Sequence, residues 1–293
     1  RRPTMSSQGG GARGVPTPGP WVCRRLAQGA FCVFVVAGVV LLASLPGQTA
    51  TVGSGREPEL RATLASARSS LPRGDRIYLG NGCFWGRQYD FTQVEQGELK
   101  RSVVTATVGY AGGTQSGPHG LVCYYHASKE TEYERLGHAE VVELRLAQDG
   151  QQARAEFRAF LRTYFKQFRP TSRGMQRLDP QDAGPGYRNL VGIPGGMSSP
   201  LMDIVREENV RGMELVEGKG NTLNPSTGAA SEDDQVNRVY VMDTAAFPFH
   251  RAEQYHQFHT GLGHSFPEDY THRLKEKQIQ GGLIDPTGCP EHR

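Results

Sequence analysis

A run of large apolar side chains between residues 152 and 168 constrains the fold most strongly. Its members recur at helical spacing and are Phe157, Phe160, Leu161, Tyr164, Phe165 and Phe168. Because side chains three and four positions apart share one face of an α-helix, this spacing predicts an amphipathic helix over 152–168. We interpret the aromatic stripe as core packing rather than as a surface that binds a cofactor.

Short strands are predicted on both sides of this helix. Residues 77–79 form an apolar strand that a glycine turn ends, and residues 102–110 are rich in Val and Thr. Alternating apolar residues predict further strands over 139–146 and 239–241. Since strands and helices mix without a regular β-α-β alternation, we expect the α+β class, with helices packed on one sheet.

The remaining segments give weaker patterns. Residues 199–216 are interpreted as a second helix, and residues 250–262, which are rich in His and Gln, as a third. The Gly- and Pro-rich residues 170–197 and the polar residues 217–235 are predicted to be loops.

The N-terminal part of the chain divides into three segments by composition. Residues 1–25 are a basic leader that we expect to be disordered, residues 26–50 are apolar, and residues 51–75 are a polar linker to a catalytic domain over 76–293. The apolar segment is typical of a cleaved secretory signal or of an uncleaved anchor through 26–45, since a bilayer span needs about 20 apolar residues. Five arginines precede this segment, so either interpretation places the catalytic domain on the non-cytoplasmic side, secreted, luminal or anchored.

The charge balance argues against one class of partner. Lys and Arg number 33 against 30 acidic residues, a net charge of +3. Such a balance gives no broad basic surface, so we expect no nucleic acid partner.

The cysteine and histidine content predicts neither a disulfide scaffold nor a metal site. The five cysteines are Cys23, Cys32, Cys83, Cys123 and Cys289, and they lack the paired spacing of zinc ligands. Four histidines cluster near the C-terminus: His250, His256, His259 and His264. Without a convergent third ligand or a second shell, we interpret them as part of a solvated helix or of the edge of a substrate site.

Cys83 is the strongest candidate for chemistry. It lies in Gly82-Cys83-Phe84-Trp85-Gly86, directly after the first predicted strand and its glycine turn. A cysteine there should begin a helix, where free amide groups and the helix dipole lower the thiol pKa. The alternative is an inert cysteine that Phe84 and Trp85 bury.

The Cys83 segment closely resembles the nucleophile motif of the A-type peptide methionine sulfoxide reductases. Four further blocks resemble that family's motifs in the same order: Tyr110-Ala111-Gly112-Gly113, Gly137-His138-Ala139-Glu140-Val141-Val142, Asp182 with Gly184, Tyr187 and Arg188, and Ala252-Glu253-Gln254-Tyr255-His256-Gln257. The resemblance covers about residues 76 to 260.

This resemblance implies a fold and an activity. The fold is a two-layer α+β arrangement with a split β-α-β, ferredoxin-like order of strands. The activity is reduction of the S epimer of methionine sulfoxide, free or in oxidised proteins, through a cysteine sulfenic acid. It implies no cofactor apart from an external thiol reductant such as thioredoxin, and we expect a monomer. A catalytically silent module that binds peptides or sulfoxides on the same fold is the alternative.

Individual roles also follow from the resemblance. Cys83 matches the nucleophile, and Phe84 and Trp85 match the pocket for the sulfoxide methyl group. Glu140 matches the acid that protonates the sulfoxide oxygen, and Asp182 and Tyr187 match its polar partners. The chemistry agrees for Glu140, because burial on a strand would raise its pKa and keep it protonated.

The segment before Glu140 departs from the family pattern. The family places a catalytic tyrosine about a dozen residues upstream of the acid, but the region 122–133 is longer here. Tyr124, Tyr125 and Tyr133 are all candidates, and we favour Tyr125. Pro185 and Gly186 also replace the family's Thr-Gln pair, which changes the stiffness and polarity of that loop.

The C-terminal tail departs from the family as well. It lacks the glycine-rich segments that often hold resolving cysteines, and Cys289 is the one cysteine near the C-terminus. A mobile tail would let Cys289 resolve the sulfenic acid on Cys83. The alternatives are a free thiol on a frayed end and, as the resolving residue, Cys123.

Overall fold

The computed structural model describes residues 71–291 except 126, 179–181, 225, 235, 262 and 264. These residues all belong to one compact unit, Val52–Arg293. The predicted leader and apolar segment lie outside the described residues. Within the described part of the chain, none of the helices has the length and apolar character that a bilayer span requires.

The regular elements are short. The strands are β1 (Arg76–Gly80), β2 (Thr107–Ala111), β3 (Ala139–Arg145), β4 (Phe168–Thr171), β5 (Gly174–Arg177), β6 (Leu190–Ile193), β7 (Glu214–Glu217), β8 (Arg238–Asp243) and β9 (His250–Arg251). The helices are α1 (Phe84–Gln93), α2 (Gly150–Lys166), α3 (Met202–Glu208) and α4 (Lys275–Gln280). A π-helical turn, Val94–Glu98, extends α1, and another, Asp269–Leu274, precedes α4.

Seven strands form one mixed sheet in the order β7-β8-β6-β1-β3-β2-β9, and β4 and β5 form a separate hairpin. Strand β1 is antiparallel to both β3 and β6, and β2 is antiparallel to β3. Strands β7 and β8 extend the sheet in parallel to β6. The central order β6-β1-β3-β2, with α1 after β1 and α2 after β3, is a split β-α-β arrangement. The predicted α+β class and the ferredoxin-like core are therefore confirmed.

Helix α2 supplies much of the core. It begins after Asp149, whose carboxylate accepts a hydrogen bond from Gln152 N at 2.8 Å. The predicted aromatic stripe is completely buried against the sheet residues Ile77, Leu79, Val142 and Leu144. The predicted helix and the core role of its stripe are therefore confirmed, although Phe168 belongs to β4.

The other face of the sheet is covered by the segment between β8 and β9. The Tyr78 hydroxyl donates a hydrogen bond to the carbonyl of Phe247 at 3.0 Å, and the Phe247 and Phe249 rings pack on this face. Buried residues from five strands share this smaller core, among them Val141, Leu190 and Met242.

The type of secondary structure was predicted wrongly for three segments. The predicted loop 170–197 contains β5 and β6, and the predicted helix 199–216 is divided between α3 and β7. The predicted helix 250–262 consists of β9 followed by the single turn Gln254–His256. In these segments, pairing with the sheet outweighs local propensity. The strand predicted from residue 102 begins only at Thr107.

Candidate active site

The turn that carries Cys83 is fixed by its backbone. Gly82 has a φ of +89°, a conformation that favours glycine, and its N–H donates to the carbonyl of Tyr187 at 3.0 Å. Cys83 then occupies the N-cap position of α1 and is half-buried. The prediction that Cys83 begins a helix is confirmed, and the turn is tied to the loop that carries Tyr187.

Glu140 lies beside this helix start. It is on β3 opposite Tyr110, is 1% exposed, and its Oε2 accepts a hydrogen bond from Phe84 N at 2.9 Å. Burial raises the pKa of Glu140 well above its ordinary value, and hydrogen bonds from Phe84 N and the Tyr133 hydroxyl only partly offset this. The predicted protonated acid next to Cys83 thus agrees with the environment of Glu140.

The thiol pKa differs from the sequence-based expectation. Burial raises the pKa of Cys83 above its ordinary value, and the nearby Glu140 and Asp182 carboxylates raise it further. A hydrogen bond with the backbone of Trp85 lowers it, as a helix start should, but this effect is the smaller one. The physical reason is that desolvation of a thiolate outweighs one helix terminus when carboxyl groups are close.

Three tyrosines surround Glu140. Burial, followed by the charge of Glu140, raises the pKa of Tyr124, of Tyr133 and of Tyr187. Tyr124 and Tyr133 belong to one loop, which Cys123 closes through backbone hydrogen bonds to Thr131 and Tyr133. Their rings stack at 5.9 Å between centroids. All three hydroxyls remain neutral donors near the acid.

Tyr125, the tyrosine favoured from the sequence, lies at the surface of the same loop. Its side chain is 52% exposed, and its ring contacts Tyr124 at 4.3 Å between centroids. Tyr124 is the member of this pair whose pKa the charge of Glu140 raises. Tyr124 and Tyr133 are the tyrosines that the structure brings to Glu140.

An aromatic wall borders the thiol. Phe84 and Trp85 are buried, as predicted for the methyl pocket, and the His256 ring lies 5.5 Å from Phe84 and 4.2 Å from Tyr124. His259 packs on Trp85 at 4.2 Å. The site therefore combines a low-polarity surface with hydroxyl and carboxyl groups.

Arg177 and Asp234 hold the loop that carries Asp182 and Tyr187. Arg177 on β5 binds both carboxylate oxygens of Asp234, at 2.6 and 2.7 Å, and also the Asp182 carbonyl. Asp234 in turn accepts a hydrogen bond from Gly184 N at 3.0 Å. Asp182 is half-buried and near enough to raise the pKa values of Cys83 and Glu140. Both predicted polar partners thus lie at the site.

Glu253 is a residue of this site that the sequence reasoning did not select. It is 2% exposed, its Oε1 accepts from Tyr124 N and its Oε2 from the Tyr110 hydroxyl, both at 2.8 Å. It therefore fixes the position of the Tyr124 backbone. The resemblance of residues 252–257 to a family motif was the available signal.

The structure also corrects the environment of Cys289. Its sulfur is bonded to Cys123, across a Cα–Cα distance of 5.7 Å, while Cys83 is the free cysteine among the described residues. The tail is packed, since Glu291 accepts hydrogen bonds from Gln254 N and Tyr255 N at 2.9 Å. A free thiol on a frayed end is therefore wrong, and Cys289 cannot attack Cys83 while this disulfide is intact.

Most of the site lies within the part of the chain that matches a known family. Residues 75–193 match peptide methionine sulfoxide reductase. This match confirms the resemblance carried by the motifs, and it contains Cys83, Glu140, Asp182, Tyr187 and the tyrosine loop.

Curated relatives agree with this match. Proteins named peptide methionine sulfoxide reductase MsrA are 32% identical over 115 residues in Corynebacterium kroppenstedtii and 35% identical over 115 residues in Agrobacterium fabrum. Each match covers 39% of this chain, and 43% and 44% of the relatives respectively. The chain thus spans less than half the length of these relatives. The crystal structure of Mxr1 from Saccharomyces cerevisiae in reduced form is 20% identical, with a TM-score of 0.35, over 62% of this chain and 81% of that chain.

The arrangement is suited to one kind of chemistry. The free Cys83 thiol lies beside a carboxyl group whose pKa is raised, tyrosine hydroxyls and apolar rings. Such a site can bind a neutral polar group that carries a small apolar substituent, deliver a proton to its oxygen, and expose its central atom to sulfur.

Proposed function

We propose that this protein is a peptide-methionine (S)-S-oxide reductase, which reduces the S epimer of methionine sulfoxide, free or in oxidised proteins. The observation that carries the proposal is the placement of the buried Glu140 carboxyl at the N–H of Phe84, next to the Cys83 thiol. A sulfoxide oxygen becomes a leaving group only when it is protonated, and Glu140 supplies that proton.

The reaction balances on the residues of the site. The sulfoxide methyl packs on Phe84 and Trp85, while Glu140, Tyr124 and Tyr187 hydrogen-bond its oxygen. The Cys83 sulfur attacks the sulfoxide sulfur, and the oxygen is transferred to Cys83. The products are a thioether and a sulfenic acid, and no other oxidant or reductant is needed for this step.

Regeneration needs an external reductant. Because Cys289 and Cys123 are bonded to each other, the sulfenic acid on Cys83 reacts with a thiol from outside, which gives water and a mixed disulfide. A second thiol then releases Cys83. A thioredoxin-like dithiol has the chemistry for both steps, so this protein needs no prosthetic cofactor, and it acts as a monomer.

The compartment is part of the proposal. We place the catalytic domain on the non-cytoplasmic side of a membrane, either secreted, luminal or anchored by residues 26–45. The Cys123–Cys289 disulfide supports this placement, since such bonds persist mainly in oxidising compartments. N-terminal sequencing of the protein from its own cell tests whether the apolar segment is removed.

One assay tests the activity. The protein is incubated with dithiothreitol and with each separated epimer of a methionine sulfoxide, and the thioether is quantified. We expect thioether from the S epimer alone. Absence of thioether with both epimers would contradict the proposal and favour a silent binding module. No feature of the site favours such a module. Product from the R epimer would contradict the assigned specificity.

A further inference from the structure

The disulfide lies within a convergence of three segments. Cys123 comes from the loop before Tyr124, Cys289 comes from the C-terminal tail, and Glu253 follows β9. The three side chains are 1%, 8% and 2% exposed. Residues far apart in sequence thus meet in one shielded place that also adjoins the tyrosine loop.

The donor atoms of these residues are close enough to share a metal ion. The two sulfur atoms and a carboxylate oxygen of Glu253 all lie within 4.8 Å of one another. Two thiolates separated by a tetrahedral zinc ion stand about 3.8 Å apart, given Zn–S bonds of about 2.3 Å. With Cα atoms 5.7 Å apart, the cysteines reach this spacing by side-chain rotation alone.

We propose that reduction of the Cys123–Cys289 disulfide creates a zinc site formed by Cys123, Cys289 and Glu253. Two thiolates and a carboxylate suit Zn²⁺ and leave the fourth tetrahedral position to water. In the oxidised protein the sulfur atoms are bonded to each other, and the site cannot form. The site is thus controlled by the redox state of one bond.

The conversion balances in electrons and protons. A dithiol transfers two electrons to the disulfide, which leaves two thiols on the protein and one disulfide on the reductant. Zinc binding then displaces both thiol protons. The reductant is of the same chemical class that the proposed recycling of Cys83 uses.

Glu253 is already oriented for this role. Tyr124 N and the Tyr110 hydroxyl each hydrogen-bond one of its oxygens at 2.8 Å, and each oxygen retains a lone pair. Such outer contacts fix the direction of a ligating carboxylate. Zinc would therefore connect the same loop and tail that the disulfide connects, so both redox states keep Tyr124 in place.

The test compares oxidised and reduced full-length protein. Each form of the Cys83→Ser variant, in which the nucleophilic thiol is removed, is dialysed against zinc sulfate without oxygen, and bound zinc is measured by elemental analysis. We expect the reduced form to bind one equivalent more than the oxidised form. Equal zinc content in the two forms would overturn the proposal.

Variants assign the ligands in the same background. Cys289→Ser should abolish the additional equivalent, and Glu253→Gln should weaken its affinity at least about 10-fold. The matched control is the Cys23→Ser/Cys32→Ser double variant, which should bind as tightly as the parent. Three results would contradict the three-residue site. They are zinc binding that persists in Cys289→Ser, loss of zinc binding in the control, and unchanged zinc affinity in Glu253→Gln.

Cobalt provides a readout that does not depend on any variant. Reduced protein titrated with Co²⁺ should develop the thiolate-to-metal absorption of a tetrahedral sulfur site, whereas oxidised protein should not. A reduced protein that binds Co²⁺ without this absorption would have no thiolate ligands, and the proposal would fail.

Discussion

At the scale of single residues, Cys83 and Glu140 are coupled through charge. The Glu140 carboxylate raises the pKa of the Cys83 thiol, and burial raises the pKa of both groups. Both shifts favour the uncharged forms, so the proposed mechanism starts with a proton on Glu140.

Replacement of Cys83 by Ser should abolish turnover even in excess dithiothreitol, since a hydroxyl cannot form the sulfenic acid. Thioether formation from the S epimer measures this, and circular dichroism verifies that the variant is folded. Activity above a few per cent of the parent would move the nucleophile to another residue.

Glu140→Gln should slow the chemical step by about 10²–10⁴-fold, the usual contribution of a general acid. The effect belongs in kcat, because glutamine can still accept the Phe84 N–H and shape the pocket. A loss confined to KM would assign Glu140 to substrate positioning.

The same substitution should change the pH dependence of stability. The pKa of Glu140 is raised in the folded protein, so above the unfolded pKa of about 4.3 the unfolded chain releases a proton that the folded chain retains. The free energy of unfolding of the parent therefore falls as pH rises from the unfolded pKa towards the raised folded pKa of Glu140. In Glu140→Gln this fall should be smaller. Urea unfolding at pH 5 and pH 8 measures the difference; equal slopes in both proteins would argue against a raised pKa.

The two adjacent tyrosines form a matched pair for mutation. Tyr124→Phe should lower kcat by about 10- to 100-fold, since its hydroxyl lies in the field of Glu140. Tyr125→Phe should leave kcat unchanged, because the Tyr125 ring is half exposed. The reverse order of effects would restore Tyr125 as the functional residue. Sequence alone could not choose between them, since the choice depends on which side of the loop faces β3.

At the scale of elements, segments with periodic apolar residues were predictable from the sequence. Strands that are defined mainly by their pairing were not. Helix α2 and strands β1, β3 and β8 follow from their apolar spacing, because each buries one face or lies in the core. Strand β6 lies in a glycine-rich region and is defined by its pairing with β1 and β8. The segment 254–257 was mistaken for a helix because the buried His256 packs in the site and the buried Gln257 hydrogen-bonds Val108 of β2, rather than both lying on one helix face.

The hairpin of β4 and β5 supports the loop that carries Tyr187. Arg177→Met should cost about 3 kcal/mol in the free energy of unfolding, because it leaves Asp234 largely buried without its partner. It should also raise KM, since the Asp182 carbonyl loses its hydrogen bond and Asp234, which holds Gly184 N, loses the partner that positions it. Arg173→Met, in the exposed turn of the same hairpin, should stay within about 0.5 kcal/mol. Denaturant unfolding and steady-state kinetics decide this, and equal effects of the two changes would exclude the supporting role.

At the scale of the whole molecule, the site is assembled from segments that are distant in sequence. The turn after β1, strand β3, the loop 121–133, the loop 182–187 and residues 253–259 all contribute. Family motifs identified most of these segments, because the motifs include most of the candidate site residues. The disulfide was not predictable, since its cysteines are 166 residues apart and no local pattern links them.

The disulfide should stabilise the fold to a measurable degree. A cross-link that closes so long a loop removes much conformational entropy from the unfolded chain, and such bonds contribute typically about 2–4 kcal/mol. Reduction in the presence of a chelator, which excludes metal binding, should therefore lower the free energy of unfolding by this amount. Guanidinium unfolding of oxidised and reduced protein measures the change. Cys289→Ser should resemble the reduced protein and should not respond to reductant. If reduction leaves the parent's unfolding midpoint unchanged, the packing of Glu291 and the tail, rather than the covalent bond, holds the C-terminus on the tyrosine loop.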